Sequence, residues 1–187
     1  MIKPGTPAAT RPGAMPPSAT PPGAMPGSAI PLRLRAEDAE DLAVISACLQ
    51  DALVAVRDFA YDPGERVFML VANRFRWEDC HPGGAGAPGA REGGPFERTL
   101  CAVTFDNITA AAYRGFHRRD KDRILCLLAM RLAADAAELS PGLSIDLDFA
   151  GDAQIRLAAS ALRCRARDFG DTWPTPWQPG HELPAMS

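Results

Sequence analysis

Cys80 and His81 stand side by side, with Cys101 and Cys126 further along, a set of residue types that could hold zinc. Zinc wants four ligands held tetrahedrally, usually in closely spaced pairs. Here no CxxC pair occurs, Cys101 and Cys126 sit in apolar segments, and the remaining histidines are His117 and His181, the latter in a C-terminal tail. No metal ligand is assigned. Gly84, Gly86 and Gly89 spell GxGxxG, the pattern that cradles a dinucleotide pyrophosphate. That chemistry needs a strand before the glycines, a helix after them and an acid about twenty positions on. Pro82, Pro88 and Pro95 surround these glycines instead, so the stretch is expected to be a flexible linker and no cofactor is implied.

Asp146 and Asp148, two apart with Asp152 nearby, could serve acid–base catalysis or Mg²⁺ binding. Their alternation with Leu143, Ile145, Leu147 and Phe149 predicts instead the solvated polar face of a strand. Ser46, Ser140, Ser144 and Ser160 lack a GxSxG elbow, and no catalytic residue is assigned.

The one local charge cluster runs from Arg114 to Arg123. Arg114, Arg118, Arg119, Lys121 and Arg123 outweigh Asp120 and Asp122, and His117 adds an imidazole. Between two predicted strands this is a loop, the place where binding groups are displayed on a rigid scaffold. Arg114, His117, Arg118, Arg119 and Lys121 are the candidate binding residues for an unknown protein or an acidic or phosphate-bearing ligand. The bland alternative is a solvated turn whose acids partly neutralise its bases.

Bulk charge gives no wider hint. A net charge of -3 and a pI near 5.6 offer no general reason to bind nucleic acid or an anionic membrane, and both partners are disfavoured. No apolar run approaches the eighteen or so residues that would span a bilayer. Arg outnumbers Lys 18 to 2, an excess spread along the chain that a GC-rich coding bias explains. The five cysteines are odd in number, which favours buried free thiols in a reducing cytoplasm over a disulfide framework.

These residues need elements to position them. Asp38 is placed to cap a helix, with Glu40 and Asp41 in its first turn, Leu42, Ile45 and Leu49 on its inner stripe, and Val44, Cys48 and Ala52 widening that stripe. From Leu53 the period becomes two, with Leu53, Ala55, Phe59 and Tyr61 expected on one strand face. Asp62-Pro63-Gly64-Glu65 has the composition of a type II turn, and the return strand runs from Arg66 to about Trp77. Further strands are read at 99–105, 108–116, 123–132 and 143–149, then around Ile155 and Leu157. Residues 162–169 fit either helix or strand, with strand preferred. Together these predict an α+β domain: one N-terminal amphipathic helix and a mainly antiparallel sheet of six or seven strands, free to curl toward a barrel.

Residues 1–31 hold half of all prolines and no acid, and PGAMPPSATP recurs as PGAMPGSAIP. Such a segment cannot bury a core and is expected to be a disordered, partly polyproline II tail. A single domain over 32–171 is expected beyond it, with a flexible insert at 80–95 and an extended tail at 172–187.

AEDAEDLAVISACLQDA at 36–52, LVANRFRWE at 70–78, DFAGDAQIRL at 148–157 and RDFGDTW at 167–173 carry a resemblance. The chain resembles, from Leu32 to about Trp173, a bacterial family catalogued as domain of unknown function 2948. The resemblance implies a single cytoplasmic domain and brings no activity, cofactor or catalytic residue. Two readings of function stand. One is a non-catalytic binding or scaffold module acting through a sheet face or loop. The other is a small enzyme whose site is assembled from scattered polar residues such as Arg74, Arg76, Asp146 and His117.

Overall fold

The computed structural model describes residues 30–79, 96–133, 142–176 and 179. The repeat-bearing tail up to residue 29, the 80–95 insert with Cys80, His81 and the GxGxxG glycines, and most of the C-terminal tail lie outside the described residues.

The described residues open with strand β1 (Arg33–Ala36), continue into helix α1 (Ala39–Cys48), and then become sheet. Asp38 starts the helix by accepting the Asp41 N–H at 2.8 Å, and Leu42 and Ile45 face inward, whereas Val44, expected to widen the inner stripe, is 54% exposed. Such a cap satisfies one of the orphan amides of the first turn. The inner stripe seats this short helix on the sheet, where the Met130 N–H donates to the Ser46 hydroxyl at 2.8 Å.

Nine strands follow: β2 (Leu53–Ala55), β3 (Phe59–Asp62), β4 (Val67–Phe75), β5 (Phe96–Phe105), β6 (Ile108–Arg114), β7 (Ile124–Leu132), β8 (Leu143–Phe149), β9 (Gln154–Ala159) and β10 (Cys164–Thr175). Every pairing is antiparallel. The spatial order is β1-β10-β5-β4-β2-β7-β8-β9-β6, with β3 against β4. Among the described residues β1 and β6 therefore end the path.

This corrects the expected fold. The described residues form a ten-stranded antiparallel sheet with one short helix set between its first two strands, not a six- or seven-stranded α+β domain led by a helix. Two local causes raise the strand number. β1 is only four residues long and draws its pairing from β10, more than a hundred residues away in sequence. The strand expected from Leu53 to Tyr61 is broken by a 3-10 turn at Val56–Asp58, which reverses its facing: Leu53 before the turn is 36% exposed, while Phe59 after it, expected on the same face, is buried.

The turn at 62–65 also differs. Gly64 is not in the left-handed region that a type II turn requires; Arg66 is, at φ 56°. The Asp62 carboxylate accepts the Gly64 and Glu65 N–H groups at 2.9 and 3.1 Å, so the aspartate, not the glycine, shapes this hairpin. The stretch left open between helix and strand is strand, and β10 continues past residue 171 to Thr175, Trp173 pairing with Arg98.

The core lies under the inward series of each strand. Phe59 sits at its centre, its ring 6.2, 6.1 and 5.9 Å from those of Phe68, Phe116 and Phe149. Through Phe116 this aromatic cluster also anchors the basic loop that carries it.

Candidate functional site

Among the described residues, charged side chains gather in four places. The first is inside. Phe68, Leu70 and Ala72 of β4 face the core, and two residues further on the same face stands Arg74, fully buried. On β10 the core-facing series Cys164, Ala166 ends likewise in Asp168. Arg74 Nε donates to Asp168 Oδ1 at 2.8 Å and Nη2 to Oδ2 at 2.6 Å. Its Nη1 and Nη2 donate to Glu78 Oε2 and Oε1 at 3.0 and 2.6 Å, and Nη1 also reaches the Phe75 carbonyl at 3.3 Å. All five guanidinium N–H groups are thereby used, the satisfaction that a buried charge requires.

Asp168 does a second job. Its Oδ2 accepts the Leu32 N–H at 2.9 Å, while its own N–H donates to the Leu32 carbonyl at 2.9 Å, so it fastens the chain entering β1. Burial pushes against charge on all three side chains, yet the hydrogen bonds win. Arg74 is held above its ordinary pKa by Asp168 and Glu78, and both carboxyls are held below theirs by Arg74. A guanidinium with no free donor cannot take a ligand. The neighbouring thiols are not activated either: burial raises Cys48 and pushes Cys101 to about 12. Activated nucleophilic thiols are shifted the other way. This cluster holds strands together.

The second place corrects an expectation. Asp146 does point away from Ile145 and Leu147, but it is not solvated; it is 2% exposed. It lies in register between Arg131 of β7 and Arg156 of β9. Arg156 grips it bidentately at 2.7 and 2.8 Å, while Arg131 leans diagonally to Asp148, which also accepts from Gln154 at 2.8 Å. Alternation correctly shows which face the carboxylates occupy. It cannot show that long arginines from both neighbouring strands fold over that face and cover it.

The third is the 114–123 loop. Arg114, His117, Arg118, Arg119 and Lys121 are all exposed there. The loop is held from below by Phe116 and from the side by backbone bonds of Val56 and Arg57 to the Arg123 and Lys121 carbonyls, at 2.9 and 3.2 Å. Gly115 makes the descent possible: at φ 77° it lies in the left-handed region, and a Cβ there would stand 2.6 Å from the Asp152 carbonyl oxygen. The Arg118 guanidinium stacks 5.0 Å from the Tyr113 ring centroid, and Asp122 pairs with Arg57 at 3.1 Å.

The residues proposed for a scattered enzymatic site fall into different groups. Arg74 and Arg76 share Glu78, at 2.6 and 3.9 Å, whereas Asp146 belongs to the Arg131–Arg156 ladder and His117 to the exposed loop. Among the described residues no group of three or more His, Cys, Asp or Glu is placed to hold a metal ion. Likewise, no described helix is long and apolar enough to cross a membrane.

The fourth place was not singled out from sequence. On the sheet face turned from the core, Arg33 is directly opposite Arg167, and Arg35 directly opposite Arg165. These rows continue into Ala102 and Val71, and into Thr104 and Met69. The next row passes through Phe169, Leu100, Asn73, Leu53 and Cys126. Met69, Leu53 and Phe169 remain 44, 36 and 41% exposed on this face. Arg165 has a partner in Asp106 at 3.0 Å, while Arg33, Arg35 and Arg167 have none among the described residues. The signal was present as arginine at every second position, RLR and RCRAR. It was hidden because the pairing that sets one run against the other is non-local.

A family model described as "Protein of unknown function (DUF2948)" matches residues 32–181. No curated protein and no solved structure matches the chain.

Proposed function

The chain belongs to the family of proteins of unknown function DUF2948, and for it we propose a non-catalytic binding module that holds an acidic segment of a partner protein on its outer sheet face. One observation carries this reading: two arginine pairs set directly opposite each other on neighbouring strands. Like charges in that position destabilise a sheet, by about 0.2–1 kcal/mol per pair. A ligand bearing carboxylates would turn the same repulsion into affinity. Beside the arginines, Met69, Leu53 and Phe169 supply exposed apolar area of the kind found at the centre of interfaces. The reading includes a reducing, cytoplasmic setting, which the free thiols of Cys48, Cys101, Cys126 and Cys164 support.

The test is fluorescence anisotropy of a labelled polyglutamate peptide with the full chain at low and high salt. Binding should be strong only at low salt, and the Arg33→Glu, Arg167→Glu double variant should lose at least tenfold in affinity. Undiminished binding by that variant would remove the sheet face from the function.

A second reading places the site in the 114–123 loop, with Arg114, His117, Arg118, Arg119 and Lys121 meeting the acidic or phosphate-bearing ligand. What favours it is the stacking of Arg118 on Tyr113, which fixes one guanidinium before a ligand arrives. An Arg118→Ala, Arg119→Ala variant that loses affinity while the sheet variant keeps it would move the site there.

A further inference from the structure

Resting on the binding function proposed above, a narrower inference concerns how the partner is held. We propose that the acidic segment adds to the sheet as an eleventh strand, antiparallel along the free edge of β1, with carboxylates at alternate positions facing Arg33 and Arg35.

Backbone geometry supplies the first argument. Among the described residues β1 ends the strand path, with β10 as its one neighbour. In an antiparallel pair, successive residues turn their N–H and C=O groups alternately toward and away from the partner strand. Leu32 turns toward β10, where its carbonyl accepts the Asp168 N–H at 2.9 Å. Leu34 and Ala36 therefore turn the same way, and Arg33 and Arg35 turn their backbone groups outward to the open edge. Among the described residues, those with unpaired backbone groups are thus the same residues whose side chains carry the unpaired charge. A strand laid there would find hydrogen-bond partners and counter-charges in one register.

Spacing supplies the second. Residues two apart on a strand are about 6.5–7 Å apart, and directly opposed residues have Cβ atoms about 4.5–5.5 Å apart. An extended chain with an acid at every second residue matches Arg33 and Arg35 one to one. Arg167 and Arg165, one strand further in, add their field from the same face.

Charge on an edge strand also has a protective use, since it discourages edge-to-edge aggregation. That accounts for Arg33 and Arg35, and it excludes a second copy of β1 as the occupant, because arginine would again face arginine. It does not account for Arg167, which lies on a strand already paired on both sides and has no acidic partner among the described residues, whereas Arg165 beside it is held by Asp106 at 3.0 Å. The presence of Arg167 opposite the edge arginine Arg33 points to a ligand.

The test uses the full-length chain at low salt and a labelled ten-residue peptide of alternating glutamate and threonine. Two further peptides carry backbone N-methyl groups, one on the glutamate nitrogens and one on the threonine nitrogens. In the proposed register each glutamate opposite an arginine turns its own N–H toward β1. Methylating the glutamate nitrogens should then cost at least tenfold in affinity, whereas methylating the threonine nitrogens should cost less than threefold. The Arg33→Glu, Arg35→Glu variant should bind the parent peptide at least tenfold more weakly and melt no lower than the parent protein, which separates lost binding from lost folding. Equal binding of all three peptides would overturn strand addition while leaving an acidic partner in place. Failure of every acidic peptide to bind would overturn both readings. Preference for an oligothymidylate over the peptides would overturn the assignment of a protein partner.

Discussion

Arg167 and Asp168 are neighbours on β10, and they belong to two opposite uses of arginine. On the inner face Asp168 meets Arg74, a guanidinium with no exposure and all five donors engaged. On the outer face Arg167 meets Arg33, charge against charge. The inner cluster is closed, because a buried cation persists only when every donor is satisfied. The outer rows are open, because water screens the repulsion and makes it tolerable. A single one-residue step along a strand separates a buried, fully bonded charge from an exposed one.

Removing the inner carboxylate should have the largest effect. Asp168→Ala leaves the buried Arg74 with Glu78 alone and unfastens Leu32, and should cost about 3–5 kcal/mol in denaturant unfolding. A loss below about 1 kcal/mol would mean that water reaches Arg74 and that the two regions differ less than their burial indicates.

Leu147→Ala should cost on the order of 2–5 kcal/mol, as for any fully buried leucine. Its neighbour gives the sharper comparison. Asp146→Asn should cost roughly 1–2 kcal/mol, since charged hydrogen bonds contribute about 1.5–3 kcal/mol and its arginine partners are half exposed. A cost matching that of Asp168→Ala would place the Asp146 ladder in the closed class.

Acid should act on the inner cluster too. Asp168 and Glu78 have folded-state pKa values below their ordinary ones, so the unfolded chain binds more protons in between. Their contribution is present above the unfolded carboxyl range near pH 4 and is lost as pH falls through the lowered folded values. Melting temperature against pH should therefore fall below about pH 4, and Asp168→Asn should flatten that fall. An unchanged slope would show that other carboxyls carry it.

The smallest effect has the opposite sign. Arg33→Glu, Arg35→Glu turns the Arg33–Arg167 repulsion into an attraction and sets a second acid beside Arg165, which Asp106 already partners, and should raise stability by no more than about 1 kcal/mol. Arg118→Ala, Arg119→Ala in the loop should change it by less than about 0.5 kcal/mol. A loss of several kcal/mol in either variant would show that the outer charges are structural after all.

Local signals carried part of this molecule on their own. The Asp38 cap lies within four residues of the groups it satisfies, so the start of α1 was legible, as was the alternation of β8 that buries Ile145, Leu147 and Phe149. The exposed 114–123 loop was legible for the same reason, being a run of charge between two apolar runs. What tertiary structure alone decided is everything that depends on which strands become neighbours. RLRA is too short to announce β1, and it becomes a strand only because β10 lies alongside. Arg74 reads as one more polar residue in LVANRFRW until β10, ninety-four positions later, brings Asp168 against it. Asp146 reads as solvated until Arg131 and Arg156 close over it. Periodicity states which side of its own strand a residue occupies; only pairing states what stands across from it, and the meaning of a charge depends on its neighbour.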